Sequence, residues 1–127
     1  MAQIRPAQLC RSWLFLEGAN EAVLQRAPAS GADVLIHELE DFTPPALRPA
    51  ARALARDLYG SWRAAGRVVA VRVNPLEGDG MEDLAAVMRG LLAQPPSACT
   101  LMTSLLSRVS ASVTWQRKYS EVFALKR

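Results

Sequence analysis

The chain has few of the residues that build metal clusters or disulfide frameworks. Its only cysteines are Cys10 and Cys99, with no CxxC motif and no Cys/His cluster near them, which excludes a zinc ribbon and predicts free thiols. No apolar run approaches the roughly 18 residues of a membrane helix, and the WLFL run near the N-terminus is too short for a signal-peptide core. These absences predict a cytoplasmic protein.

An excess of charge of either sign is also absent over most of the chain. Residues 1–96 hold 10 Arg and no Lys against 11 Asp and Glu, a net charge of −1. The formal net charge of +3 therefore comes from residues 97–127, which carry +4. Because these positive charges are few and scattered, the sequence predicts no nucleic-acid partner.

Three strand-then-helix units follow one another. Strands are predicted at 12–18, 33–40 and 67–75, and helices from Asn20 to about residue 30, from an N-cap at Thr43 to Gly66, and over 81–93. This alternation predicts an α/β protein with parallel strands joined by right-handed crossovers. Length alone leaves an open doubly wound sheet and part of a (β/α)8 barrel as alternatives. No GxGxxG or GxxxxGK[ST] motif follows a strand, so no nucleotide-phosphate loop of those kinds is expected.

The composition changes after Gln94. The segment that follows is rich in Ser and Thr, contains no Asp, and shows no clear fourth strand-and-helix unit. It is either a helical or irregular C-terminal extension or, as we prefer, a foreign sequence such as a frameshift produces. We therefore divide the chain into a domain over 1–94 and a divergent basic tail over 95–127, frameshifted or disordered.

Polar side chains converge at the predicted strand ends. Alternation along a strand places Glu38 and Glu40 on one face of the second strand, and Arg72 and Asn74 on one face of the third. Parallel strands end at the same edge of a sheet, where α/β proteins bind ligands. Glu38 or Glu40 could simply form a partly buried ion pair with Arg72. We favour a site with a cation, because Asp41 adds a further carboxylate.

His37 lies on the opposite, apolar face of the second strand, beside Leu35 and Leu39. A histidine in such surroundings is more often a hydrogen-bonded packing residue than a ligand or a base. The sequence therefore predicts a structural role for His37.

Three blocks of this sequence, RSWLFLEGAN, SGADVLIHELEDFTPP with the following RPAAR, and AVRVNPLEGDGMEDLAAV, resemble the citrate lyase β-subunit-like branch of the HpcH/HpaI aldolase family. The resemblance covers roughly residues 11–90. It implies a (β/α)8 TIM barrel that cleaves or forms carbon–carbon bonds in hydroxy-acyl thioesters or 2-keto acids. It also implies Mg²⁺ as cofactor and a homo-oligomer.

The resemblance assigns roles to individual residues. Arg72 matches an arginine that grips the substrate's carboxylate or carbonyl oxygen, and Arg11 matches the opening motif of the first strand. We expect Arg11, and Asn74 from the same strand face as Arg72, to be further substrate-binding residues. Glu40 and Asp41 are the expected catalytic residues, and Glu38 is expected to contact the metal through water. The direct metal ligands are expected from later strands, outside this chain. Two departures concern the substrate: Glu38 replaces the family's usual Asp, and Glu17, Gly18 and Ala19 replace a Pro-Gly-Asp type turn.

The expected function is thus that of a Mg²⁺-dependent carbon–carbon lyase, with a chain of 127 residues that supplies three of eight barrel units and is inactive alone. The rival hypothesis is a non-catalytic binding or assembly protein. In that case the partial barrel docks onto a full-length homologue, and the basic tail makes the contact.

Overall fold

The computed structural model describes residues 2–92 and 99–103. The strands are β1 (Trp13–Glu17), β2 (Val34–Glu38), β3 (Val68–Val73) and β4 (Cys99–Thr103), and the helices are α1 (Glu21–Arg26), α2 (Arg48–Ala64) and α3 (Gly80–Leu92). Single 3-10 turns form at Ala7–Leu9, Ala27–Ser30 and Pro45–Leu47. The three predicted strand–helix units are confirmed. No described helix is long and apolar enough to cross a membrane, and the cytoplasmic location stays a prediction.

The strands form one parallel sheet in the order β1-β2-β3-β4. Each strand therefore lies beside the next one along the chain, an order that a β/α barrel has and a doubly wound sheet with a strand-order reversal does not. The mixed α/β architecture with a parallel sheet is consistent with the N-terminal part of a TIM barrel. Closure into a (β/α)8 barrel stays a prediction.

The fourth strand corrects the expectation that none follows residue 90. Cys99–Thr103 pairs in parallel with β3, so part of the proposed tail extends the sheet. The sequence signal was weak because CTLMT is short, has no regular alternation of polar and apolar residues, and stands in a Ser/Thr-rich stretch. The domain boundary at residue 94 stays a prediction, and the rest of the tail lies outside the described residues.

Two faces of the sheet bury different residues. Leu35 and Val69 point toward the helices and join the larger core, in which Trp62 of α2 is fully buried. The indole N–H of Trp62 donates to the carbonyl oxygen of Leu24 at 2.9 Å, so its polar atom is satisfied. On the opposite face, Ile36 and Ala70 belong to a smaller cluster that residues of the N-terminal segment contact.

Two of the three helix-capping residues predicted from the sequence are confirmed. Asn20 accepts a hydrogen bond from the backbone N–H of Val23 at 3.3 Å, which confirms it as the N-cap of α1. Gly66 adopts a positive φ of 76° after α2, as a glycine stop allows. The predicted Thr43 cap is wrong, because a 3-10 turn at Pro45–Leu47 precedes α2 and Thr43 bonds elsewhere.

Candidate functional site

A charged cluster occupies the carboxyl ends of β2 and β3. Glu38, the last residue of β2, is the register partner of Arg72 in β3, so both side chains project from the same face. Glu17 stands in the same row at the end of β1. This row continues the face of Ile36 and Ala70, opposite the helices. The predicted convergence of the strand ends is therefore present.

Glu38 is fully buried and organises the turn that follows it. Its Oε1 accepts the backbone N–H groups of Glu40 at 3.0 Å and Asp41 at 3.1 Å, and its Oε2 accepts that of Phe42 at 2.6 Å. Three donors on one carboxylate offset the cost of burying its charge. The turn therefore bends back toward the strand and presents Glu40 and Asp41 beside it.

Arg72 lies among three carboxylates. Its Nη2 is 2.6 Å from Oε2 of Glu40 and 2.7 Å from Oδ2 of Asp41, and its Nη1 is 3.6 Å from Oε1 of Glu38. The Glu40 contact is close but not directed as a hydrogen bond, since Oε2 of Glu40 has no hydrogen-bond partner among the described residues. The ion pair weighed from the sequence therefore forms, with all three acids at one guanidinium.

The members of this cluster differ in exposure. The side chains of Arg72 and Glu40 are 12% and 14% exposed, whereas that of Asp41 is 57% exposed. Water screens the Asp41 contact most, so it is the least costly to break. An anion that approaches from solvent would therefore meet Arg72 where Asp41 now lies.

Asn74 is not part of the cluster. It is buried, and its Nδ2 donates to the carbonyl oxygen of Leu39 and to Oδ2 of Asp83, both at 2.7 Å. The alternation of a strand would have placed it beside Arg72, but β3 ends at Val73 and the chain turns toward α3. Asp83, which the sequence analysis missed, also pairs with Arg52 at 2.7 Å.

Arg11 lies at the opposite end of the sheet. It precedes β1, whose five residues span about 16 Å, and the cluster lies beyond the far end of that length. The backbone N–H of Arg11 donates to Oδ2 of Asp33 at 2.8 Å, and this bond is the main cause that lowers the pKa of the Asp33 carboxyl. The structure therefore does not bring Arg11 to the other predicted substrate-binding residues.

His37 is buried behind the cluster and ties β2 to its neighbours. Its Nε2 is 2.9 Å from the carbonyl oxygen of Gly18, which can only accept, so Nε2 carries the proton. Its Nδ1, 2.9 Å from the hydroxyl of Tyr59, then accepts. Burial lowers the pKa of His37 from its ordinary 6.5 to about 4, and the bond to Gly18 offsets part of that effect. The predicted structural role fits these contacts.

Thr43 joins the turns after β1 and β2, a role that no motif in the sequence indicated. Its Oγ1 accepts the backbone N–H of Gly18 at 2.8 Å and donates to the carbonyl oxygen of Glu38 at 2.5 Å. A side chain on Gly18 would collide with Oγ1 of Thr43 and with the carbonyl oxygen of Glu38. The two turns are therefore locked together beneath the charged cluster.

The described residues do not form a direct metal site. No group of three or more His, Cys, Asp or Glu side chains among them could hold an ion. Both carboxylate oxygens of Glu38 accept backbone N–H groups of its own turn, and the carboxylates of Glu40 and Asp41 contact Arg72. A water-mediated contact from Glu38 stays a prediction.

A parallel α/β sheet with charged residues at the carboxyl ends of its strands is the arrangement of enzymes that bind small substrates at that edge. A sequence model of the HpcH/HpaI aldolase/citrate lyase family matches residues 11–94, and the chain belongs to that family. It is also 36% identical over 89 residues to a citrate lyase subunit beta-like protein of Deinococcus radiodurans. That match covers 65% of this chain and 31% of the relative. The resemblance drawn from the three sequence blocks is confirmed.

Proposed function

We propose that this chain supplies the substrate-binding edge of a carbon–carbon lyase that acts on a hydroxy-acyl thioester or a related 2-keto acid. The family places the chain among aldolase and citrate lyase-type enzymes. The observation that carries the finer proposal is the position of Arg72 at the carboxyl end of β3, in contact with the exposed Asp41.

Arg72 would bind the carboxylate or carbonyl oxygen of the substrate. Cleavage of the carbon–carbon bond leaves negative charge on an enolate oxygen, and a guanidinium held in place by Glu38 and Glu40 can stabilise that charge without reorganising. Asp41 would yield its place to the substrate. Glu40 or Asp41, as carboxylates, could accept the hydroxyl proton. Asn74 would act indirectly, by fixing the end of β3.

Mg²⁺ is part of this proposal as the family cofactor, and so is a homo-oligomeric enzyme. Because the described residues do not provide a direct ligand set, no step assigned to them depends on the ion. The expected direct ligands lie outside this chain. The chain alone is therefore expected to show no Mg²⁺-dependent cleavage of a hydroxy-acyl-CoA, and measurable cleavage would contradict that part of the proposal.

Binding of pyruvate, the smallest common 2-keto acid, tests the role of Arg72. Isothermal titration of the 127-residue chain should show binding that Arg72→Lys weakens at least about 10-fold, because an ammonium cannot reproduce the bidentate fork. Arg26→Lys, an exposed change on α1, is the control and should leave affinity unchanged. Equal affinity in the wild-type and Arg72→Lys proteins would reject the proposal.

One observation supports the rival role in assembly. Trp13 and Phe15 of β1, at the edge of the described sheet, are 44% and 41% exposed. Apolar side chains on a sheet edge favour association. Size-exclusion chromatography with and without a full-length homologue would detect a complex. Trp13→Ser with Phe15→Ser should abolish it if this surface makes the contact.

A further inference from the structure

A groove lined by arginines runs between α2 and α3, on the helix side of the sheet. Its volume is about 530 Å³, within the range of pockets that hold small molecules. Its lining includes Arg52, Ala53 and Arg56 from α2 and Ala86, Arg89 and Gly90 from α3. Arg72 projects from the opposite face of the sheet, so the groove is separate from the site described above.

The floor of the groove is made of small residues because the two helices approach closely there. A Cβ on Gly90 would lie 3.2 Å from the backbone nitrogen of Arg56, a tight contact that shows how near the two helix backbones are. Arg89, which precedes Gly90 in α3, lines the groove together with Arg56 of α2. Two positive side chains therefore border one short stretch of groove.

The acidic partners of this helix pair are confined to its other end. Arg52 contacts Asp83 at 2.7 Å and Glu82 at 2.8 Å, both in the first turn of α3. After Asp83, α3 contains no acidic residue. Arg56 and Arg89 consequently have no ion pair or hydrogen bond from their side chains to any described residue, and both are exposed.

Arg52 lines the same wall, but the acids around it compensate its charge. Its side chain is only 12% exposed, and its Nη2 has no hydrogen-bond partner among the described residues. That nitrogen lies 3.6 Å from Oδ2 of Asp79, which is an ion contact rather than a hydrogen bond. The positive charge of the groove that has no acidic partner among the described residues therefore belongs to Arg56 and Arg89.

We propose that this groove binds the phosphate group of a small molecule through Arg56 and Arg89. Like charges at one site repel, and an anion between them removes that repulsion. Planar guanidinium groups match phosphate oxygens in paired hydrogen bonds, and the small side chains of Ala53 and Ala86 leave space for the anion. The chain's own residues 97–127 carry a net charge of +4 and do not complement the groove.

Titration of the full 127-residue chain with inorganic pyrophosphate at low salt tests the proposal. The double variant Arg56→Gln, Arg89→Gln should bind at least about 10-fold more weakly than wild type. Arg26→Gln removes one exposed positive charge from α1 and should change the affinity less than about twofold. The single variant Arg56→Gln should lose more affinity than Arg26→Gln. Equal losses from these two single variants would show diffuse attraction to a basic protein and would overturn the assignment.

A second pair of variants separates charge from space. Ala53 is exposed, so substitutions there disturb little packing. Ala53→Glu should abolish pyrophosphate binding by supplying an internal anion, whereas Ala53→Gln, of the same size, should retain most of it. Equal binding by these two variants would place the anion elsewhere. Succinate that binds as tightly as pyrophosphate, with the same dependence on Arg56 and Arg89, would overturn the choice of phosphate over carboxylate.

Discussion

Asp83 holds Asn74 by two hydrogen bonds to a single oxygen. Its Oδ2 accepts the backbone N–H of Asn74 at 2.8 Å and the side-chain amide at 2.7 Å. Its other oxygen, Oδ1, lies 2.7 Å from Arg52 of α2. One buried carboxylate therefore connects the end of β3 to both of the longer helices, and it fixes the strand that carries Arg72.

Removal of that carboxylate should destabilise the fold strongly. Asp83→Ala would remove the acceptor of the Arg52 Nε and leave two buried N–H groups of Asn74 without partners, a loss we expect to be about 3–5 kcal/mol. Glu82→Gln is the matched control, because Glu82 pairs with the same Arg52 but is 72% exposed; its cost should stay below about 1 kcal/mol. Urea denaturation of both variants measures the difference. Similar losses would mean that Asp83 is not the connecting residue.

The charged cluster should respond unequally to loss of its members. Arg72→Gln leaves Glu38 and Glu40 without their cation, and we expect about 1–3 kcal/mol of lost stability. Asp41→Asn breaks the contact that is most exposed, 57% at the Asp41 side chain, so its cost should be below about 1 kcal/mol. Chemical denaturation at pH 7 provides the comparison. A loss for Asp41→Asn as large as that for Arg72→Gln would contradict this ranking.

His37 predicts a pH dependence that can be assigned, because it is the single histidine of the chain. Its pKa is about 4 when folded and about 6.5 when unfolded, so the unfolded state binds more protons between these values. Stability should therefore be constant, as far as His37 is concerned, above pH 6.5. It should fall by about 1.4 kcal/mol per unit as the pH drops below that value.

The variant His37→Gln isolates this effect. Glutamine cannot take up a proton in this range, so its unfolding free energy should vary much less between pH 7.5 and pH 5, although the variant is less stable at neutral pH. Urea denaturation at several pH values would show the two curves converging as the pH falls. Parallel curves would mean that His37 does not titrate as its burial requires.

Gly18 should tolerate no side chain. A Cβ there would lie 2.5 Å from the carbonyl oxygen of Glu38 and 2.8 Å from Oγ1 of Thr43, so Gly18→Ala must separate the two turns, at about 1–3 kcal/mol. Gly78→Ala is the control, since its nearest atom is the Pro75 oxygen at 3.7 Å. We expect that change to cost less than about 0.5 kcal/mol in thermal or urea unfolding. Equal effects would argue against the locked turns.

Much of this architecture could be predicted because the relevant signals are local. Apolar runs such as DVLIHE and RVVAVRV, each followed by a longer helical segment, indicated the first three strands and their parallel pairing. Alternation along β2 and β3 then predicted that Glu38 and Arg72 share a face, which the register confirms. These inferences depend only on the period of a strand and the direction of the chain.

The missed features depend on where an element ends or on distant contacts. Asn74 was expected beside Arg72, but the strand stops one residue before it and the amide turns to Asp83. Thr43 resembled a helix cap until tertiary structure offered it Gly18 and Glu38 as partners. Neither outcome can be derived from periodicity, since both require knowledge of which segments meet.

Glu38 fills a concave cradle of three successive peptide N–H groups, those of residues 40, 41 and 42. Cradles of this kind are a common means by which loops capture phosphate or other negative ligands. Here the protein has already occupied the cradle with a carboxylate of its own. In the substrate site that we propose, anion selectivity would therefore depend on one replaceable side chain, Arg72, rather than on the peptide backbone, and a single codon change would alter what the edge accepts without remodelling the loop.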